Sequence, residues 1–172
     1  METCDKLGML VMDEAFDMWN EPKNDLDYSL WFRDWWQRDI SYMVLRDRNH
    51  PCVISYSIGN EIPERGGRSG GAMWSRKLSD EIRKYDNTRL ITEGICNLWE
   101  PYYYATGLPE DYDFIKFSDF SDPFGEITAK GAEPLDIVGY NYLYERYEQD
   151  SCAHRYHYGW QWSLGNRTRQ RT

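Results

Sequence analysis

The sequence has no two cysteines at CxxC spacing. Its four thiols, Cys4, Cys52, Cys96 and Cys152, are scattered through 172 residues, which argues against a zinc knot and a dense disulfide framework and fits reduced thiols in a cytoplasm. No apolar run approaches the ~18 to 20 residues that a bilayer span requires, and the opening METCDKLGML lacks the basic start and long apolar stretch of a signal peptide. Positive charge is scarce: 20 Lys and Arg against 29 Asp and Glu leave a formal net charge of −9. Nucleic-acid binding draws most of its affinity from Lys and Arg on phosphates, so no nucleic-acid partner is expected, and no membrane partner either. Phosphate-loop spacing is missing too, since Gly66-Gly67 and Gly70-Gly71 form a flexible lip rather than a Walker pattern. Cys152, His154 and His157 lie close in sequence but lack an obvious fourth ligand, so neither a metal nor another cofactor is expected.

Apolar and aromatic residues are plentiful. A hydrophobic fraction of 41% over this length supports a globular domain with a sizeable core. The 8 Trp, 14 Tyr and 6 Phe offer flat rings that suit both a core and the face of a sugar.

Along the chain, hydropathy gives an alternation of strands and helices. A helix end stops near Gly8, and a short strand, residues 9–12, runs into Asp13 and Glu14. Phe32, Trp36, Ile40 and Met43 recur at helical spacing, in a helix that must end before His50-Pro51 because proline disfavours helical geometry in the residue before it. The continuous run Val53 to Ile58 reads as a strand covered on both faces, leading to Asn60 and Glu61. A second helix carries Trp74, Leu78, Ile82 and Tyr85 on one face, and a strand at residues 90–92 ends at Glu93. Residues 97–133 show weak periodicity and read as an aromatic, acidic excursion with one short helix. A fourth strand, residues 137–140, runs into Asn141 and Tyr142. This is the grammar of an α/β protein with parallel strands. Residues 151–172 contain no acid and carry Arg155, Arg167, Arg169 and Arg171, which separates a basic tail, or a departure from the parental reading frame, from a main unit at residues 1–150.

Four strands thus deliver polar residues at their C-terminal ends, the edge where parallel α/β folds and barrels bind ligands. Carboxylates converging there among aromatics favour glycoside hydrolysis, in which one acid protonates the leaving oxygen and a second carboxylate attacks or activates water. An oxygen-rich magnesium site is the competing use of the same acids.

Three blocks, LVMDEAFDMW, RDRNHPCVISYSIGNEIPE and DIVGYNYL, resemble glycoside hydrolase family 2, the family of β-galactosidases, β-glucuronidases and β-mannosidases, from about Glu2 to about Glu148. The resemblance implies a partial (β/α)8 TIM barrel, approximately strands three to six with their helices. It implies that Glu61 is the general acid/base of a retaining mechanism and that Asn60 contacts the sugar 2-hydroxyl. Asp13 and Glu14 match an acidic pair at the floor or wall of the sugar pocket, where holding loops is an equal alternative. Glu93 is expected in the pocket wall, Asn141 beside the substrate, and Tyr142 or Tyr144 at the tyrosine that bonds near the nucleophile. Trp99, Tyr102, Tyr103 and Tyr104 could stack on a sugar ring. The nucleophile of the family is a Glu after the seventh strand, and no residue here matches it. The expectation is therefore a segment of a retaining β-glycosidase, β-galactosidase-like first, taking a carbohydrate substrate. The alternative is a truncated, non-catalytic carbohydrate-binding fragment. An open partial barrel leaves strand edges unpaired, which favours self-association.

Overall fold

The computed structural model describes residues 1–66, 70–96, 123–143 and 147. The aromatic excursion with Trp99 and Tyr102 to Tyr104, Tyr144, and the segment 151–172 with its Cys152, His154 and His157 lie outside the described residues.

A left-handed glycine closes the first helix. Helix α1 (Glu2–Leu7) stops at Gly8, whose φ of 67° suits a residue without a Cβ. Strand β1 (Val11–Glu14) follows, then α2 (Ser29–Asp47), β2 (Val53–Asn60), a 3₁₀ turn (Pro63–Gly66), α3 (Gly71–Tyr85), β3 (Leu90–Ile95), α4 (Pro123–Ala132) and β4 (Gly139–Tyr140). The strands form one sheet in the order β1-β2-β3-β4, every neighbouring pair parallel. Sequential parallel strands joined through helices are the repeating unit of a β/α barrel.

The strands reach further than their apolar runs suggest. Asp13 and Glu14 belong to β1, Asn60 to β2, and Glu93 to β3. Hydropathy ends a strand where polar residues begin, whereas the hydrogen-bonded ladder continues. At β4 the difference is reversed, the strand shrinking to two residues.

The helices cover one face of this sheet. On α2, Phe32, Ile40, Met43 and Val44 are buried, and Trp36 packs at the rim of the core. On α3 the buried stripe is Trp74, Leu78 and Ile82. The Phe32 ring ties the two helices to the loop after β1, lying edge-on to Phe16 at 5.1 Å and to Trp74 at 4.9 Å between centroids. The turn before Pro51 is anchored as well. His50 Nδ1 lies 2.6 Å from the Asp5 carboxylate, and the Cys52 N–H donates to the same group at 2.9 Å. Hydrogen bonds from Cys52 and His50 hold the Asp5 pKa down at about 2. Tyr56, from the middle of β2, points into the helix layer and donates to Asp86 at the end of α3. Among the described residues, no helix is long and apolar enough to cross a membrane.

Leu78 is fully enclosed between α3 and the sheet, while Leu45 stands half-exposed on the outer side of α2. Leu78→Ala is expected to cost ~2 to 5 kcal/mol in urea unfolding followed by tryptophan fluorescence. Leu45→Ala should stay within about 0.5 kcal/mol of the parent.

Candidate active site

The site is organised by one extra residue in β2. Ser57 pairs with Thr92 and Asn60 with Gly94, so three steps along β2 match two along β3. Side chains alternate along a strand, so Thr92 and Gly94 share a face. The shift brings Asn60 onto the face of Ser57, where strict alternation would send it to the other side. A bulge near a strand end re-aims side chains in this way.

On that face three polar side chains meet. Asn141, just after β4, uses its amide nitrogen twice, donating to Asn60 Oδ1 at 2.8 Å and to Glu61 Oε1 at 3.0 Å. Its own N–H donates to Ile95 O at 2.7 Å, which fixes the side chain at the end of the sheet. Asn60 Nδ2 donates to Asp17 Oδ1 at 3.2 Å, so the amide orientation that gives Asn141 an acceptor also gives Asp17 a donor. The Tyr142 hydroxyl donates to the Glu61 carboxylate, and that bond raises the tyrosine pKa.

Glu61 and Tyr142 have φ of 51° and 66°; they are the non-glycine residues in the left-handed region among those described. Each costs ~1 to 2 kcal/mol for an L-residue, a cost that surrounding structure must hold in place. For Glu61 the holding bond is its own N–H to Gly94 O at 2.6 Å.

The remaining acids divide between the two faces. Glu14 pairs in register with Ser57 and accepts its hydroxyl at 2.6 Å, so it lies on the Asn60 face, lower along the strands. Asp13 pairs with Tyr56 and shares its orientation toward the helices. There it meets Asp47 at the end of α2. Burial, and then a hydrogen bond with Asp47, push the Asp13 pKa up to about 6. Against the cost of its own burial, hydrogen bonds from Arg46 and from Asp13 hold Asp47 below its ordinary value. Glu93 is buried, and alternation along β3 sets it on the side of Ile91 and Ile95. The expectation that all the strand-end acids face one mouth therefore differs from the structure at Asp13 and Glu93. Hydropathy locates a strand but does not say which of its faces a given residue takes.

Several residues here went unremarked in the sequence. Lys23 Nζ bridges Asp17 Oδ1 at 2.9 Å and Asn60 O at 2.7 Å, bracing the same asparagine from the loop after β1. Gly94 leaves room for the amide pair: a Cβ there would stand 2.9 Å from Asn60 Oδ1 and 3.3 Å from Asn141 Nδ2. Glu64 is fully buried beneath the turn, which raises its pKa to about 7. A glycine next to an acid in a strand is the signal that could have drawn attention to Gly94, whereas a lysine or glutamate in a loop reads as solvated. Among the described residues, no group of three or more His, Cys, Asp or Glu is placed to hold a metal ion.

Residues 1–105 match the family model of the glycosyl hydrolases family 2 TIM barrel domain. The chain belongs to glycoside hydrolase family 2. A β-galactosidase of Bacteroides ovatus is 33% identical over 155 residues, which cover 83% of this chain and 17% of that protein. A putative β-glucuronidase of Formosa agariphila is 36% identical over 141 residues, 81% of this chain and 13% of that one. The crystal structure of a family 2 member from Bacteroides cellulosilyticus superposes with a TM-score of 0.69 at 36% identity, covering 89% of this chain and 16% of that chain. The chain thus spans 17% or 13% of the length of these curated relatives. Strands β1, β2 and β3 lie within the matched residues and form part of the family's barrel, with β4 paired in parallel at their edge.

Two predictions follow from the geometry of this family 2 segment. In the folded chain Asp13 and Glu64 hold protons up to about pH 6 and about pH 7, whereas unfolded they release them near 3.8 and 4.5. The native state therefore binds more protons across that window, and stability must fall as pH rises through it. The urea midpoint should be higher at about pH 5 than at about pH 8, and Asp13→Asn with Glu64→Gln should flatten the difference. Below the window the depressed carboxylates, Asp5 foremost, act in the opposite sense and lose their stabilising bonds as they protonate. Gly94→Ala displaces the flexible end of Asn60 rather than backbone, so its unfolding free energy should change by less than about 1 kcal/mol. Loss of the Asn60 and Asn141 amide cross-peaks from their native positions in an NMR spectrum would report the broken pair.

Proposed function

We propose that this chain is the segment of a retaining β-glycosidase that carries its general acid/base, Glu61. The observation that supports it is the double donation from Asn141, which joins Asn60 to the Glu61 carboxylate at the C-terminal edge of a parallel sheet. A proton donor must be held in one orientation relative to the leaving oxygen, and a carboxyl gripped at one oxygen has its other oxygen aimed by that grip. In the first step Glu61 protonates the glycosidic oxygen as a second carboxylate attacks the anomeric carbon. In the second step Glu61 takes a proton from water, which hydrolyses the glycosyl intermediate.

Retaining chemistry sets the two carboxyls roughly 5 to 5.5 Å apart. The second is assigned to a strand facing Glu61 across the barrel, beyond the residues of this chain. Asn60, Asn141, Tyr142 and Glu14 share the Glu61 face and are assigned to the sugar, with Asn60 at its 2-hydroxyl. Asp13 and Glu93 are assigned to holding β1 and β3 against the helices. A β-galactoside is the substrate favoured, since β-galactosidases recur among the relatives.

The test uses the full-length polypeptide that carries this sequence, with phenyl and dinitrophenyl β-galactosides. Glu61→Gln should lower kcat/KM for the phenyl glycoside by ~10²- to 10⁴-fold and spare the dinitrophenyl glycoside, whose leaving group needs no proton. Equal losses on both substrates would remove Glu61 from the acid/base role. The isolated chain should show no turnover; hydrolysis by it alone would contradict a second carboxylate supplied from elsewhere.

A further inference from the structure

Three residues past Glu61, the side chain of Glu64 has no solvent exposure, a rare state for a carboxylate. Its Oε1 accepts the Glu21 N–H at 2.7 Å, across 43 residues of sequence. Its Oε2 is enclosed with no hydrogen-bond partner among the described residues. The backbone is confined too, because a Cβ on Gly71 at the start of α3 would stand 2.0 Å from Glu64 O. Glu64 is thus held by α3 on one side and by the loop after β1 on the other.

That loop, residues 15–28, also holds the stretch before Glu61. Trp19 Nε1 donates to Ile58 O at 2.9 Å, the Asn60 N–H donates to Phe16 O at 3.2 Å, and Lys23 Nζ donates to Asn60 O at 2.7 Å. Gly59 lets Ile62 and Trp19 close over the strand end, since a Cβ there would meet Ile62 Cγ1 at 2.7 Å and Trp19 Nε1 at 3.1 Å. Glu61 therefore sits between two anchorages on one loop. The first grips Ile58 and Asn60, and the second grips Glu64. Its left-handed backbone, closed by its own N–H on Gly94 O, is flanked by both, so releasing either end gives the peptide freedom to relax and swing the carboxyl.

We propose that Glu64 is a positioning residue for proton transfer, its buried tie to Glu21 fixing the turn that aims the Glu61 carboxyl. The proposal rests on the acid/base reading of Glu61. Burial favours the neutral form of Glu64, so a glutamine, which keeps the acceptor oxygen and the volume, can take its place.

The experiment compares Glu61→Gln, Glu64→Ala, Glu64→Gln and Glu21→Pro in the full-length polypeptide on phenyl and dinitrophenyl β-galactosides. Glu64→Ala should lower kcat on the phenyl glycoside by about 10²-fold, the loss that a displacement of about 1 Å can cause. KM for the phenyl glycoside should move by less than about three-fold, and kcat/KM for the dinitrophenyl glycoside, which reports the first step alone, should be largely spared. Glu64→Gln should recover most of the loss. Glu21→Pro removes the donor while leaving Glu64 in place, so it gives the same reading should Glu64→Ala not fold. A lower melting temperature with unchanged kcat per folded enzyme on the phenyl glycoside, or equal loss of kcat/KM on both substrates, would overturn the positioning role. If Glu61→Gln shows leaving-group dependence and the Glu64 and Glu21 variants do not, positioning alone fails. If Glu61→Gln shows none, the acid/base reading fails with it.

Discussion

The extra residue in β2 between Ser57 and Asn60 is the constraint from which the rest of the site takes its geometry. Without it, alternation would turn Asn60 toward the helices, and the Asn141 amide would have no acceptor on β2. With it, Asn60 comes up beside Gly94, the Glu61 N–H closes on Gly94 O, and φ at Glu61 turns positive. A small change in pairing thus converts an apolar buried strand into the support of an outward-aimed carboxyl.

Around this shift the protein places three layers of restraint. The loop after β1 grips the strand end through Phe16, Trp19 and Lys23. The residues just after β4, Asn141 and Tyr142, restrain it from the other flank. Beneath, Trp19 and Ile62 fill the space over Gly59 and tie the site to the aromatic core around Phe32. The polar groups at the mouth rest on apolar packing below them, so rigidity at the site derives from the same burial that stabilises the domain.

Much of this was legible in the residues. The helical faces of Phe32, Ile40 and Met43 and of Trp74, Leu78 and Ile82 follow from spacing alone, as do the stop at Gly8 and the end of α2 before Pro51. Asn60, Glu61, Asn141 and Tyr142 stood out as polar residues closing apolar runs, and the structure gathers them. Asp13 and Glu93 carried the same signal yet face the helices, because the facing of a strand residue depends on pairing register, which is set by the neighbouring strand. Glu64 was invisible for a different reason. A glutamate in an aperiodic turn looks solvated, and only the approach of Gly71 and of the Glu21 amide encloses it.

The left-handed backbone at Glu61 and Tyr142 sets stability against side-chain chemistry at the same two positions. Glycine or asparagine at either position would relax the chain and make the domain sturdier, while erasing the carboxyl or the phenol that bonds to it. Sturdiness alone would favour a residue that carries neither group. Two such residues, with the Glu61 carboxylate acting on the Tyr142 hydroxyl, therefore mark a place where this chain carries a less comfortable backbone together with two polar side chains that glycine could not supply.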